Sequence, residues 1–331
     1  MGGDHGLVEI VPAALHALQV HPDLELILVG QEPAIRKLLR DNGAQSNARL
    51  EVMHAPEVVE MHELPSAALR TKKQSSMRLA IELVKDGRAQ ACVSAGNTGA
   101  LMALARYIVK MLPGVDRPAI CTTMPGIHGE THLLDLGANV NPNSEQLFQF
   151  AVMGSELTSA VLNVPDPKVA LLNIGEEEIK GNDMVKQAAL LLAASHLNYV
   201  GFVEGNDIFT GKVDVIVCDG FTGNIAIKAS EGVAELLRHH TRMEFEGSLY
   251  GRFAALLCTP ILRAILRKID PRSYNGASLL GLRGIVIKSH GRADRVSFAY
   301  AIEEAILEVQ KNVPERISAR LEAVLTQGPS A

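Results

Sequence analysis

Two stretches of the 331-residue chain end an apolar run in the same way before a helix-like pattern: Val93-Ser-Ala-Gly-Asn-Thr-Gly99 and Val217-Cys-Asp-Gly-Phe-Thr-Gly223. A Gly/Thr turn between a strand and a helix presents backbone N–H groups at the positive end of the helix dipole, and the hydroxyl adds a donor, so such a turn can seat phosphate. Gly96, Asn97, Thr98 and Gly99 fit that description, as do Gly220, Thr222, Gly223 and Asn224. Either turn alone reads equally as helix capping shaped by glycine. The repetition, with a third turn at Gly2-Gly3-Asp4, favours anion binding at one active site. Neither turn is a Walker A loop or a G-x-G-x-x-G fingerprint, so nucleotide binding gains no support.

Other residues could join this chemistry. In Asn173-Ile-Gly-Glu-Glu-Glu-Ile-Lys-Gly-Asn182, Lys180 stands just ahead of a helix expected near Asp183, placed to neutralise phosphate or an oxyanion. Three glutamates beside it read equally as a solvated loop. Asp135-Leu-Gly-Ala-Asn139 can orient substrate at a strand end or simply form a turn, and His290, after Lys288, can sit at another strand end or be structural. The run Arg70 to Arg78 holds four basic residues and reads as a solvated face with a Ser75 or Ser76 cap, or as a landing strip for an anionic partner. Cys218 lies in an apolar run with no adjacent base, an unpromising nucleophile. No G-x-S-x-G or H-E-x-x-H signature is present.

Elements that would position these residues follow from periodicity. Short apolar runs at Leu24 to Val29, Ala91 to Ser94, Ala119 to Thr123, His132 to Leu136, Val169 to Asn173, Val213 to Cys218 and Gly284 to Lys288 alternate with amphipathic stretches. That alternation predicts a mostly parallel sheet with helices on both faces, ligands binding beyond the strand ends. Two places break the rhythm. A helix expected over Leu7 to Gln19 has no strand before it. The stretch 244–270 is an excursion, with an apolar stripe beside Arg252, Arg263, Arg267, Lys268 and Arg272, and Pro260 is expected to break or kink it. It suits a dimer interface or an anionic membrane surface.

Composition narrows the classes. The net charge is -5, aromatics are 4% and Trp is absent, so nucleic acid is not an expected partner. The four cysteines stand far apart without C-x-x-C spacing and read as reduced thiols of a cytosolic protein. No signal peptide is visible and the apolar runs are short for a membrane span, which predicts a soluble or peripheral protein.

Taken in order, Met1-Gly-Gly-Asp-His5, Lys73-Gln-Ser-Ser-Met77, Ser94-Ala-Gly-Asn-Thr-Gly-Ala-Leu-Met102, Asp135-Leu-Gly-Ala-Asn139, Lys180-Gly-Asn182, Asp219-Gly-Phe-Thr-Gly-Asn224, Tyr274-Asn-Gly-Ala-Ser-Leu-Leu-Gly-Leu282 and Lys288-Ser-His-Gly291 closely resemble the bacterial acyl carrier protein:phosphate acyltransferase family, over essentially the whole chain. The resemblance implies transfer of a long-chain acyl group from acyl-acyl carrier protein to inorganic phosphate, giving acyl phosphate for phospholipid synthesis. It also implies a three-layer α/β/α fold similar to isocitrate and isopropylmalate dehydrogenases, a single catalytic domain over 1–331 with a helical excursion at about 241–275, and a homodimer. Membership further implies work at the cytoplasmic membrane surface, with the product handed to an integral membrane glycerol-3-phosphate acyltransferase. No cofactor or metal is called for.

Lys180 and Asn224 match the family's active-site positions. On this reading the Thr98 and Thr222 turns hold phosphate, Lys180 neutralises charge, Asn224 donates to the thioester oxygen, and Asp4 and His5 orient phosphate or assist proton movement. Gly2, Gly3, Gly96, Asn97, Gly99, Asn139, Gly220 and Gly223 complete the expected binding set. The competing readings are a short-chain acyl-coenzyme A phosphate acyltransferase, an isopropylmalate-type dehydrogenase that lacks its dinucleotide and metal signatures here, and a non-catalytic membrane-surface scaffold.

Overall fold

The computed structural model describes residues 1–327, and within that span the side chains at 263, 265–269, 271 and 324–327 stand outside the description. Its strands are β1 (Leu26–Gly30), β2 (Leu50–His54), β3 (Ala91–Ser94), β4 (Ala119–Gly126), β5 (Gly129–Leu134), β6 (Val169–Leu172), β7 (Tyr199–Val203), β8 (Val215–Val217), β9 (Ala277–Leu280) and β10 (Ile285–Lys288). The helices are α1 (Leu7–Val20), α2 (Glu32–Asp41), α3 (Pro65–Thr71), α4 (Ser76–Lys85), α5 (Thr98–Ile108), α6 (Ser144–Val161), α7 (Asp183–Ala193), α8 (Gly220–Glu246), α9 (Leu249–Ile269), α10 (Arg295–Lys311) and α11 (Val313–Gln327).

Caps written into the sequence start several of these helices. Ser75, Asn97, Asn182, Asp219 and Asp294 each accept a bond from a first-turn amide, and Asn143 with Gln146 forms a full capping box.

Eight strands form one sheet in the order β3-β10-β9-β4-β5-β8-β6-β7. Side chains alternate between its faces. Leu134, Val169, Leu171, Val215 and Val217 pack on α6, α7 and α11, while Leu133, Ala170 and Ile216 meet Ala226 and Ile227 of α8 on the other side. Toward β3, Val286 and Cys92 face α4 and α5, and Ile285 and Ile287 face α10. The result is a three-layer α/β/α sandwich.

β10 to β9, β9 to β4 and β4 to β5 are antiparallel; the remaining neighbours, β1 with β2 included, are parallel. Three reversals in succession run β3 and β10 against β5, β8 and β6, and the registers Val93/Ile287, Ile287/Ser278, Ser278/Cys121, Cys121/Leu134, Leu134/Val217 and Val217/Leu171 bring their carboxyl ends level across the sheet. The sequence pattern did not contain β2, β7 or β9, and so did not contain these reversals.

β1 and β2 form a separate pair. Between β1 and β3 lies a space of about 730 Å³ lined by both strands, α4 and α10. The Met1 amino group stands at one end of it, 3.4 Å from the Val29 carbonyl and 3.2 Å from Ser76 Oγ. The β1 and β2 pair thus stands apart from the eight-stranded sheet.

Two expectations about the excursion are corrected. It starts earlier, because α8 and α9 form one helical hairpin and every residue of α8 from Glu231 to Glu244 is exposed. Of the expected break or kink at Pro260, the break does not occur, since α9 runs through it. Proline removes one amide bond, and a helix can run through one where packing or length holds it.

Candidate active site

The two Gly/Thr turns differ in what their amides do. In the second, Asp219 caps α8. Thr222 N and Oγ1 donate to its carboxylate at 2.8 and 2.6 Å, Gly223 N donates to its carbonyl at 2.9 Å, and Gly220 N donates to the Asn139 carbonyl at 2.7 Å. The Thr222 amide is thus taken by an acid, and of the first three amides of α8 only Phe221 N has no partner among the described residues.

In the first turn Gly96 N is held by Ser94 Oγ at 3.2 Å and Ala100 N by Asn97 Oδ1 at 3.0 Å. The amides of Thr98 and Gly99 have no partner among the described residues. They stand at the start of an eleven-residue helix.

The expected residues fall into two clusters. One gathers Gly2, Gly3 and Asp4 against the first turn and the segment after β10. A methyl group on Gly2 would stand 3.1 Å from Gly96 Cα, and one on Gly3 would stand 2.9 Å from the Gly291 carbonyl. With φ of +119° and +82° these two positions require glycine. Asp4 N donates to the Gly291 carbonyl at 2.7 Å, and the Asp4 carboxylate pairs with Arg292 at 3.6 Å. His5 is exposed beside them.

The second cluster lies at the ends of β5, β8 and β6. Asp135 is buried and accepts from Ile120 N (3.0 Å), Ala138 N (3.1 Å), Asn139 N (2.6 Å) and Asn139 Nδ2 (2.9 Å). Burial nonetheless holds its carboxyl above the ordinary value. The Asn139 amide also reaches the Pro118 carbonyl at 2.8 Å. Asn139 therefore builds the loop and faces no open space, a correction to its place in the binding set. Asn97 is similar: its Nδ2 holds the Met61 and Glu63 carbonyls, both at 2.9 Å, while its oxygen caps α5.

Asn224 is exposed against Gly137, where an added methyl would stand 3.7 Å from the Asn224 side chain. Lys180 folds over Gly175 and pairs with Glu177 at 2.7 Å, which raises its affinity for a proton.

α8 links the clusters. Asn224, Lys228 and Glu231 follow at i, i+4 and i+7 along one side. Glu231 reaches His290 at 3.9 Å, and Lys228 acts electrostatically on Lys288. Lys228 carries no signal of its own in the sequence, whereas Lys288 stands at an expected strand end. A lysine closing the apolar run Ile285-Val-Ile287 is the signal that was available.

No thiol is available as a nucleophile at these strand ends. Burial raises Cys218 and Cys121 well above the ordinary thiol range and Cys92 to about 12. No group of three or more metal-ligating side chains occurs among the described residues.

A family described as "Fatty acid synthesis protein" matches residues 1–316 of this chain. The "Phosphate acyltransferase" of Methylococcus capsulatus is 60% identical over 321 residues, covering 97% of this chain and 95% of the relative. The chain belongs to this phosphate acyltransferase family. It is accordingly an acyltransferase.

The likeness in fold extends further than the likeness in sequence. A phosphotransacetylase from Streptococcus pyogenes superposes with a TM-score of 0.63 at 18% identity, covering 92% of this chain and 91% of that one. A protein from Salmonella typhimurium described as a 4-hydroxythreonine-4-phosphate dehydrogenase does so at 0.52 and 14%, covering 93% and 97%. Phosphate acyltransferase and these more distant enzymes share the three-layer architecture.

Proposed function

We propose that this phosphate acyltransferase moves a long-chain acyl group from acyl-acyl carrier protein to inorganic phosphate. The observation that carries the reading is the pair of open amides at Thr98 and Gly99, set at a helix start against the Gly2-Gly3 turn. Such a site suits an anionic acceptor and offers no protein nucleophile.

One step suffices. An oxygen of hydrogenphosphate attacks the thioester carbonyl, the carbon–sulfur bond breaks, and the phosphate proton passes to the departing carrier thiolate, giving acyl phosphate and free carrier thiol. Phosphate needs placement more than it needs a strong base. Asn224, exposed on α8, is placed to donate to the tetrahedral oxyanion, and Asp4 and His5 flank the acceptor.

The acidic carrier protein docks on the basic segment at the end of α3, where Arg70 and Lys73 are exposed. Ser75 in the same segment is a buried cap and Arg78 is tied to Glu82 at 2.8 Å, so only part of the run is free for a partner. The side chains of Arg263, Arg267 and Lys268, a second basic cluster that could receive an acidic carrier, lie outside the description. The exposed apolar hairpin of α8 and α9 serves a homodimer and contact with the cytoplasmic membrane, where an integral glycerol-3-phosphate acyltransferase takes the product. No described helix is long and apolar enough to cross a membrane.

The test is purified protein with long-chain acyl-acyl carrier protein, following free carrier thiol and acyl phosphate. Thiol release that requires phosphate, and that exceeds release from short-chain acyl-coenzyme A, is expected. Release without phosphate, or preference for the short coenzyme A substrate, would overturn the assignment.

A further inference from the structure

Lys288 ends β10 and is 8% exposed. It alternates with Ile287, which packs on α10, so it shares the face of Val286, whose neighbours belong to α4 and α5. The side chain therefore rises into the layer of α5 and α8. Register pairs it with Ser94, the last residue of β3, from which the chain turns through Gly96 and Asn97 to the open amides of Thr98 and Gly99.

Its only hydrogen bond among the described residues goes to the carbonyl of Ser289. No carboxylate pairs with it there. Asp4, the acid that acts on it, is engaged by Arg292 at 3.6 Å. A buried ammonium without a counter-ion is costly, and an aliphatic side chain at this strand end would cost nothing comparable. Burial, helped by Lys228, has lowered its proton affinity to about 8. What relieves such a group is an anion brought in from solution.

We propose that Lys288, with the amides of Thr98 and Gly99 and with Lys228 approaching from α8, holds the acceptor phosphate, so that Lys288 and not Lys180 neutralises its charge. The proposal rests on the phosphate acyltransferase reading. It locates the acceptor at the β3 and β10 edge, and leaves Asn224, four residues before Lys228 on the same side of α8, to face the acyl carbonyl.

The test uses Lys288→Met and Lys288→Arg, with inorganic phosphate as the probe. In Lys288→Met the KM for phosphate is expected to rise about 10- to 100-fold, the loss of one charge-assisted bond to phosphate, while the KM for acyl donor stays within about 2-fold. The gain in thermal stability that the wild type shows with added phosphate is expected to vanish in this variant. An unchanged phosphate KM and thermal gain in folded Lys288→Met would overturn the proposal.

Should Lys288→Met fail to fold, pH decides. Wild-type affinity for phosphate falls above about pH 8 as Lys288 loses its proton, whereas arginine stays charged, so Lys288→Arg extends the alkaline limb. The other charged groups acting on Lys288 are Lys228 on α8, Asp4 in the N-terminal turn and His290 after the strand, and Glu231 and Arg292 act in turn on His290. They are common to both proteins, so coincident limbs would refute the role of Lys288. The thermal gain reads the site without turnover: if wild type released no thiol but gained stability with phosphate through Lys288, the assigned reaction would fail and the site would stand.

Discussion

Asn139 and Asn224 lie in the same cluster and show how alike residues divide between holding the fold and doing chemistry. Both were expected to touch substrate. Asn139 is buried with its amide committed to Pro118 and Asp135, while Asn224 is exposed with its amide free to donate. Asn224→Ala is expected to lower kcat about 100- to 1000-fold with an unchanged denaturation midpoint, the usual loss for an oxyanion donor. Asn139→Ala is expected to do the reverse, lowering stability by about 1–3 kcal/mol through the donor and acceptors left unpaired. Steady-state kinetics beside urea unfolding separates the two, and a stability loss at Asn224 would remove it from the chemistry. The sequence brought both residues to notice because the Asp135 and Asp219 turns are written in small and amide residues. It could not tell them apart, since that depends on whether Pro118, distant in sequence, offers a carbonyl. The difference between Thr98 and Thr222 is local by contrast, for Asp219, a near neighbour in sequence, is the cap that takes the Thr222 amide.

At the scale of elements, α10 carries an unusual pair one turn apart. Glu304 and Glu308 lie against the sheet, where Glu308 is 1% exposed and its Oε1 has no hydrogen-bond partner. Burial raises both carboxyl groups, with Glu130 adding to the effect on Glu304 and Glu304 to that on Glu308. The folded protein therefore keeps protons that the unfolded chain releases above the ordinary carboxyl range. Their contribution to stability is full below that range and declines as pH rises through the raised folded values. Glu308→Gln, neutral throughout, is expected to lose less stability than wild type between about pH 5 and about pH 8, read as urea midpoints at constant slope. Equal losses would mean that Glu308 titrates normally. Elements also set how much of the fold was legible. Strands such as Val169–Leu172 and Ile285–Lys288 are apolar runs buried on both sides and declare themselves. β7 is an edge strand interrupted by Gly201 at φ +99°, and β2 is half-exposed in a two-stranded pair, so neither carries a strong pattern. β9 is four residues long and follows the hairpin, yet with its neighbours it reverses the sheet and decides which strand ends share an edge.

For the molecule as a whole, the α8 and α9 hairpin has no counterpart surface within the chain. α8 runs 27 residues, about 40 Å at helical rise, and only its first turns touch the sheet layer. Beyond them Val233, Leu236, Leu237 and Met243 stand more than half exposed, and Phe253, Leu256, Leu257 and Ile261 of α9 do the same. An apolar surface of that extent on a monomer marks a contact with another molecule. A twofold dimer would pair one hairpin with its copy and bury the stripe, and any apolar strip left outside it could meet lipid beside the basic residues of α9. Leu237→Glu with Leu257→Glu places one acid on each helix of the hairpin, away from Asn224, Lys288 and the open amides. The expected result is a shift from dimer to monomer in sedimentation velocity and weaker flotation with anionic phospholipid vesicles. Loss of the dimer with flotation intact would assign these two positions to the subunit interface alone, and loss of flotation with the dimer intact would assign them to the membrane. A variant that stayed dimeric and still floated like wild type would leave the exposed stripe without either role and would sink the interface reading of the hairpin.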